Sequence, residues 1–400
     1  MIPPLHPVDE VLDQILAKVV VTGSTETLQT DQALGRYLAT DVSSPIDVPP
    51  AANSEMDGYA YNGHDPSIAA GGIYDISDRI PAGAVGKPLV PGTLTRIFTG
   101  AHLPEGANTV VMQEDTSTVN GKVQIDELPK PGQHVRPQGQ DIGTGDVILQ
   151  RGRRLQPEDL GLVASVGLQT IEVYKPLTIA IVSTGDELVE PGDSLAPGQI
   201  YNSNRYVLSG LLRSLGMQVL DLGIAKDSAV ATHDALQRGA EESDCILCSG
   251  GVSVGEEDYV KAVVEEMGSL DVWRLAIKPG KPLAYGQVMG TPFFGLPGNP
   301  VSVYVTFQIV ARPFLIAMQG GDSPRTPYYY GIADFEAQAG NRREYLRVRI
   351  GPNDKGEVIL SKFANQGSGV LSSVTWADGL AEVEIGQQIR PGDRLKYSLV

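Results

Sequence analysis

From residue 177 to residue 320 the chain alternates short apolar runs with helix-length amphipathic stretches, and no other feature restricts its fold as strongly. Apolar runs at 177–183, 217–224, 245–248, 270–277 and 292–296 are separated by helical patterns at 207–215 and 230–240, and by a stretch carrying Tyr259, Val260, Val263, Val264 and Met267 on one face. A long helix begins near Pro300. Connections of this length are crossovers rather than hairpins, so the pattern predicts a doubly wound, mostly parallel sheet covered on both faces. Ligands on such sheets sit in the loops after the strands, which is where chemistry is to be sought.

The flanking segments read differently. Val8, Val11, Leu12, Ile15, Leu16 and Val19 share a helical face, and a second short helix is expected through Ala33, Leu34, Tyr37 and Leu38. Between 51 and 139 short β-type runs are punctuated by Pro and Gly, and Asn120-Gly121 separates two of them, a hairpin signal. Helical patterning returns at 157–166, with Pro157 at its start and Gly167 at its stop, which makes the β segment an insertion. From about 327 the pattern is β again. The expected class is multidomain α/β plus β: a doubly wound mostly parallel sheet domain with an N-terminal helical segment, a small inserted β domain and a C-terminal β-barrel-like domain. The expected boundaries are 1–50 with 140–176, 51–139, 177–326 and 327–400.

Charge narrows the possible ligands. Lys+Arg 31 against Asp+Glu 48 leaves −17 over 400 residues, so the average field repels nucleic acid and anionic membranes, and any anion must be held by a local cluster. The stretch 301–318 is interrupted by Gln308, Arg312 and Pro313, which favours a buried helix over a bilayer span. The N-terminus has no basic segment leading into an apolar run, so the chain reads as a soluble cytoplasmic protein. The cysteines Cys245 and Cys248 have the C-x-x-C spacing of redox or zinc sites, but they sit in a run that reads as a buried strand, with no second pair.

Three loops could hold an anion. The turn from Ser249 through Gly250, Gly251, Ser253 and Gly255 to Asp258 joins a strand to a helix and allows close approach of backbone N–H groups, without matching the Walker or dinucleotide spacings. Lys278-Pro279-Gly280-Lys281-Pro282 holds two ammonium groups on a stiff stretch at a strand end. Leu296-Pro297-Gly298-Asn299-Pro300 opens the long helix, as an anion seat or simply as its cap. Carboxylates recur beside glycines at Asp57, Asp141, Asp186, Glu187, Asp227 and Asp258, a pattern that suits Mg²⁺ neutralising a phosphate ester. None of the five histidines stands beside a nucleophile motif, which argues against covalent catalysis.

Taken in order, these motifs resemble the molybdopterin molybdenumtransferase family. The resemblance runs through Asn53-Ser54-Glu55-Met56-Asp57-Gly58-Tyr59-Ala60, Arg96-Ile97-Phe98-Thr99-Gly100, Val135-Arg136-Pro137-Gln138-Gly139, Ser183-Thr184-Gly185-Asp186-Glu187-Leu188 and the three loops above. It implies insertion of molybdate into adenylylated molybdopterin with release of AMP, Mg²⁺ as cofactor, a homodimer, and a molybdopterin adenylyltransferase upstream. By the same resemblance Lys278, Lys281, Arg347 and Ser372 form the molybdate seat. Gly250, Gly251, Ser253, Gly255 and Glu187 face the pterin nucleotide, with Pro297 and Pro300 in the binding wall. Asp57, Glu187, Asp227 and Asp258 are the catalytic carboxylates, and Asp227 and Asp258 hold the metal. Asp57, Thr99, Arg136 and Asp141 would complete the cleft from the other subunit. The chain departs from the family pattern at Gln140 and Asn202, where acidic or hydroxyl side chains are frequent. The competing readings are an adenylyltransferase built on the same α/β domain and a non-catalytic scaffold.

Overall fold

The computed structural model describes residues 5–251, 259–322 and 324–400. Its centre is a six-stranded sheet made of β1 (Thr178–Thr184), β2 (Gln218–Ala225), β3 (Cys245–Ser249), β4 (Gly268–Arg274), β6 (Pro282–Val288) and β7 (Thr291–Leu296), in the order β2-β1-β3-β7-β6-β4. The first four in that order are parallel, and β6 and β4 are antiparallel additions. The sequence run at 270–277 is therefore two things: the antiparallel edge strand β4, and a two-residue strand β5 (Ile277–Lys278) that belongs to another sheet. Strand β6 was not expected, because Pro282 and Gly286 interrupt its apolar pattern.

Side-chain alternation explains why both faces are covered. Ile179 and Ile181 of β1, with Cys245 and Leu247 of β3, face α1 (Ser203–Ser214) and the long helix that begins with α4 (Pro300–Thr306). Ala180, Val182, Ile246 and Cys248 face α2 (Ala229–Glu242) and α3 (Tyr259–Met267). Each such buried aliphatic side chain contributes roughly 1.5–3 kcal/mol. Helix α4 runs through a π-helical turn at Phe307–Ala311 into Arg312–Met318, and this apolar segment lies in the core. Residues 245 and 248 differ by an odd number, so the two thiols point to opposite faces of the sheet and can neither pair nor share a metal.

The N-terminal helix Val8–Leu16 buries Val8, Val11 and Ile15 in the core of the central sheet, while a separate core joins Ala33, Leu38 and Val42 to Leu149, Leu155 and Val163. The helix expected through 33–38 is absent. Thr30–Gln32 makes one 3-10 turn, Gly35 takes a left-handed φ of 76°, and Tyr37 and Leu38 bridge Arg154 and Val173. The inserted segment carries a four-stranded sheet centred on Gly58–Tyr61 and Leu94–Ile97. Its Asn120-Gly121 turn has φ 51° and 80°, as a two-residue hairpin requires.

At the C-terminus β8 (Tyr329–Ala333), β9 (Arg343–Pro352), β10 (Val358–Lys362), β11 (Gly379–Val383) and β12 (Arg394–Leu399) close on themselves in the order β9-β10-β8-β12-β11, with β11 returning to β9. Strand β5 adds to this barrel through Ile277 opposite Arg343 and Lys278 opposite Glu344. The lysine loop is thereby shared between the central sheet and the barrel.

Burial in the sheet drives the Cys245 thiol far above its ordinary range, and both cysteines are fully buried. The native protein is therefore expected to leave a thiol-specific chromogenic disulfide unreacted, and to release two equivalents only when denatured. Rapid reaction of the native protein would contradict the strand placement.

Candidate functional site

The strands β2, β1, β3 and β7 all end on the same side, and antiparallel β6 begins there, so the loops at these points form a row. A cavity of about 1000 Å³ lies along that row. Its wall includes Thr184, Gly185 and Glu187 after β1, Asp227 after β2, Gly250 and Gly251 after β3, Pro297 to Pro300 after β7, and Lys278 to Pro282 before β6. Four inter-strand steps separate β2 from β6, which at about 4.8 Å each puts the ends of the row roughly 19 Å apart. The cavity thus has a carboxylate end and a lysine end, with glycine turns between.

The turns are shaped by close contacts. Gly250 has φ 94°, and a Cβ there would meet the Thr184 carbonyl oxygen at 2.7 Å; at Gly251, φ 63°, it would meet Val260 Cγ2 at 2.5 Å. The Gly250-Gly251 turn therefore lies directly on the end of β1. Gly280 has φ 107°, and its Cβ would meet Thr306 Oγ1 at 2.5 Å, which shows how tightly the lysine loop packs on α4. Thr184 Oγ1 and Asn204 Oδ1 on the cavity wall are buried without a hydrogen-bond partner among the described residues. Buried polar atoms are ordinarily paired, so these are positions a ligand can satisfy.

At the carboxylate end, the Asp186 N–H donates to Asp227 Oδ2 at 3.3 Å and the Asp227 N–H donates to Asp186 Oδ1 at 3.2 Å. These reciprocal bonds lock the two loops together, with Asp227 on the cavity wall and Asp186 behind it. Among the described residues no group of three or more His, Cys, Asp or Glu gathers around one point. So few hard oxygen donors on the wall, Asp227 foremost, suit a cation such as Mg²⁺ that keeps water and phosphate among its ligands, rather than one caged entirely by protein. Ser253, Gly255 and Asp258 fall outside the described residues.

At the lysine end Lys278 Nζ donates to Glu344 Oε1 at 2.9 Å, whereas Lys281 has no carboxylate partner among the described residues. Arg342, which sequence reasoning missed, lines the cavity beside them; in Asn341-Arg342-Arg343-Glu344 nothing in the pattern tells which arginine turns toward the loop. Arg343 turns away, to Asp9 at 2.9 Å and Glu384 at 3.0 Å.

Arg347 and Ser372 do not line the cavity. Arg347 is buried inside the barrel, where its Nε donates to Ser373 Oγ at 3.1 Å and its other nitrogens to the carbonyls of Tyr345 and Gly367. Burial pushes its guanidinium down to about 10. Gln366 brackets its backbone with bonds of 2.9 and 3.0 Å, so Arg347 holds the loop of Gln366 to Gly369, and that loop does line the cavity. The Ser368 carbonyl accepts the Val301 N–H at 3.0 Å and Pro300 has no N–H, so the barrel loop covers much of the helix start expected as an anion seat. Asn202 caps α1, its Oδ1 accepting from the Arg205 N–H at 3.3 Å, a task that needs no acid at that position.

Asp57, Thr99, Arg136 and Asp141 lie apart from this cavity, on the N-terminal segments. Asp57 Oδ1 accepts from both the N–H and the hydroxyl of Thr99, each at 2.8 Å, and these bonds hold its carboxyl below the usual range. All four side chains are exposed or partly exposed.

Comparison with known proteins adds to this geometry. Residues 6–167 match the family model of the MoeA N-terminal region (domain I and II), 180–317 that of a probable molybdopterin binding domain, and 333–400 that of the MoeA C-terminal region (domain IV). The chain is 37% identical to the molybdopterin molybdenumtransferase of Haemophilus influenzae, with 91% of each chain covered. It is 33% identical to molybdopterin molybdenumtransferase 2 of Mycobacterium tuberculosis, covering 92% of this chain and 93% of that one. The crystal structure of the molybdopterin biosynthesis moeA protein from Pyrococcus horikoshii superposes with a TM-score of 0.86 at 26% identity, over 99% of this chain and 100% of that one.

Gly280→Ala combines a strained φ with a contact of 2.5 Å on Thr306, and is expected to cost about 1–3 kcal/mol. Chemical denaturation should register the loss and hydrogen exchange should localise it to residues 276–282. Unchanged stability and exchange would show that the loop is not held against α4.

Proposed function

This chain belongs to the molybdopterin molybdenumtransferase family, enzymes of molybdenum-cofactor biosynthesis, and from that premise we propose how its cleft serves molybdenum insertion. The substrate is adenylylated molybdopterin, laid along the row of strand ends, and molybdate enters at the lysine end. The observation that carries this reading is the two-ended cavity, in which Lys278 and Lys281 share one wall with the Gly250 turn and the Asn299 helix start.

A tetrahedral dianion needs positive charge without a competing carboxylate, and Lys281 with Arg342 supply it. Lys278 adds an ammonium group already positioned by the barrel. The Gly250-Gly251 turn offers backbone N–H groups to phosphate, and Glu187 and Asp227, with Asp186 beside them, border the nucleotide end. There Asp227 would hold Mg²⁺, which would supply charge neutralisation where water cleaves the phosphoanhydride bond and AMP leaves. Asp258 is assigned the same role by the family resemblance. The protein's contribution is to position and to neutralise: it holds the oxyanion near the dithiolene sulfurs that replace oxygen around molybdenum, and keeps the phosphates still while AMP departs.

The reading extends to a homodimer. Asp57, Thr99, Arg136 and Asp141 are displayed away from their own cavity, which supports their completing the cleft of a second copy. It also implies an adenylyltransferase that supplies the substrate, and a soluble cytoplasmic enzyme. The burial of the apolar helix within the core supports solubility.

Molybdate should trigger AMP release from adenylyl-molybdopterin, and Lys281→Ala or Asp227→Asn should lower that rate by about 100-fold or more with the fold intact by circular dichroism. Wild-type protein that releases no AMP in response to molybdate would refute the proposal. Subunit sharing has its own test. Asp57→Ala and Lys281→Ala chains, each inactive, are unfolded and refolded together in equal amounts, and mixed dimers should restore about a quarter of wild-type activity. No recovery despite mixed dimers would place all catalytic groups on one chain.

A further inference from the structure

We infer that Glu344 is a positioning residue that sets how tightly the cleft grips its oxyanion, by keeping Lys278 neutralised until the anion arrives. The inference rests on the insertion reading and names the group that tunes it. The two lysines of the loop are not equivalent. Lys278 Nζ donates to Glu344 Oε1 at 2.9 Å, and the Glu344 side chain is only 13% exposed against 47% for Lys278. The carboxylate therefore belongs to the barrel wall and the ammonium group to the cleft. Backbone pairing of Lys278 with Glu344 in the β5–β9 ladder keeps the two side chains at one register position, so the contact is built into the sheet.

Other charged groups of this corner are otherwise engaged. Arg343 is shared between Asp9 and Glu384, and Arg347 is spent on carbonyls inside the barrel. Lys281 and Arg342 face the cavity with no carboxylate partner among the described residues. With Lys278 cancelled by Glu344, the lysine end presents, among the described residues, two net positive charges from the three cations on its wall. That matches a dianion without overholding it. An arriving oxyanion must draw Lys278 from Glu344, and when molybdenum passes to the sulfurs Glu344 is there to take Lys278 back. A third uncompensated cation would deepen the ground state and raise the barrier to transfer.

The test is titration calorimetry of molybdate, tungstate and sulfate into the purified full-length protein at two ionic strengths. Glu344→Gln keeps the shape and frees the ammonium group. Its oxyanion affinity should rise about tenfold with a steeper salt dependence, and in turnover both KM for molybdate and kcat should fall. Glu344→Asp, which keeps the charge, should stay near wild type. A merely structural role would move the Gln variant the other way, toward weaker binding and a lower melting temperature.

A second variant stands even if Glu344→Gln folds poorly. Lys278→Met alone leaves the Glu344 carboxylate uncompensated beside the cleft, so it should bind oxyanion about tenfold more weakly than Lys278→Met with Glu344→Gln, in which the whole pair is removed. If Lys278→Met binds as tightly as Lys278→Met with Glu344→Gln, or if Glu344→Gln binds no more tightly than wild type, the inference is wrong while the insertion reading stands. If wild-type protein binds none of the three oxyanions, the insertion reading falls and takes the inference with it.

Discussion

The short ladder between β5 and β9 is the contact on which the site depends. Only two residue pairs form it, yet the segment around it is tied on every side. The Arg343 N–H donates to the Ala276 carbonyl at 2.8 Å, the Ala276 N–H to the His6 carbonyl at 2.8 Å, and the Leu275 N–H to the Lys281 carbonyl at 2.7 Å. One extended segment thus bonds to the barrel, to the N-terminal segment and to its own returning loop. Backbone hydrogen bonds of this kind each contribute only about 1 kcal/mol net, but they are directional. Together they place the backbone of Lys278 and Lys281 at the row of strand ends.

A strongly acidic chain has to make its anion site locally. Charges beyond a Debye length of about 8 Å contribute little at physiological salt, so the −17 of the whole chain matters less in the cleft than the few groups on its wall. Separating carboxylates from lysines by the width of five strands keeps the two ends from cancelling each other. In the proposed reading the carboxylates then serve phosphate through a cation, and the lysines hold the oxyanion directly. Glycine turns between the ends offer N–H donors without adding net charge, which suits the middle of an extended, multiply charged substrate.

Much of the architecture was legible in the chain. Continuous apolar runs separated by helical stretches define a parallel sheet, because a strand buried on both faces must be apolar throughout, as the run containing Cys245 and Cys248 is. The Asn120-Gly121 hairpin was legible because few residue pairs accept two positive φ angles. Where reading failed, a long-range partner had overridden a local pattern. Ala33 to Leu38 has helical spacing, yet Leu38 is claimed by Val173 across the chain and Gly35 turns left-handed. The segment 270–277 looks like one strand because local sequence does not record that its last residues pair with a barrel beginning some fifty positions later.

The candidate site divides in the same way. The loops could be named from sequence alone, since glycine, proline and carboxylate at strand ends are local requirements of turns and of anion chemistry. Which cations face the cleft could not. Arg342, Arg343 and Arg347 are alike in the chain; one lines the cavity, one is an interdomain ion pair and one is a buried strut. The sequence by itself determined the sheet, the turns and the chemical kinds of group available at them, because these depend on neighbours within a few residues. The tertiary structure alone decided that Lys278 is neutralised, that Lys281 and Arg342 have no carboxylate partner among the described residues, and that the barrel loop covers the helix start. Charge pairing is a matter of ångströms between residues far apart in sequence, and only the folded chain sets those distances.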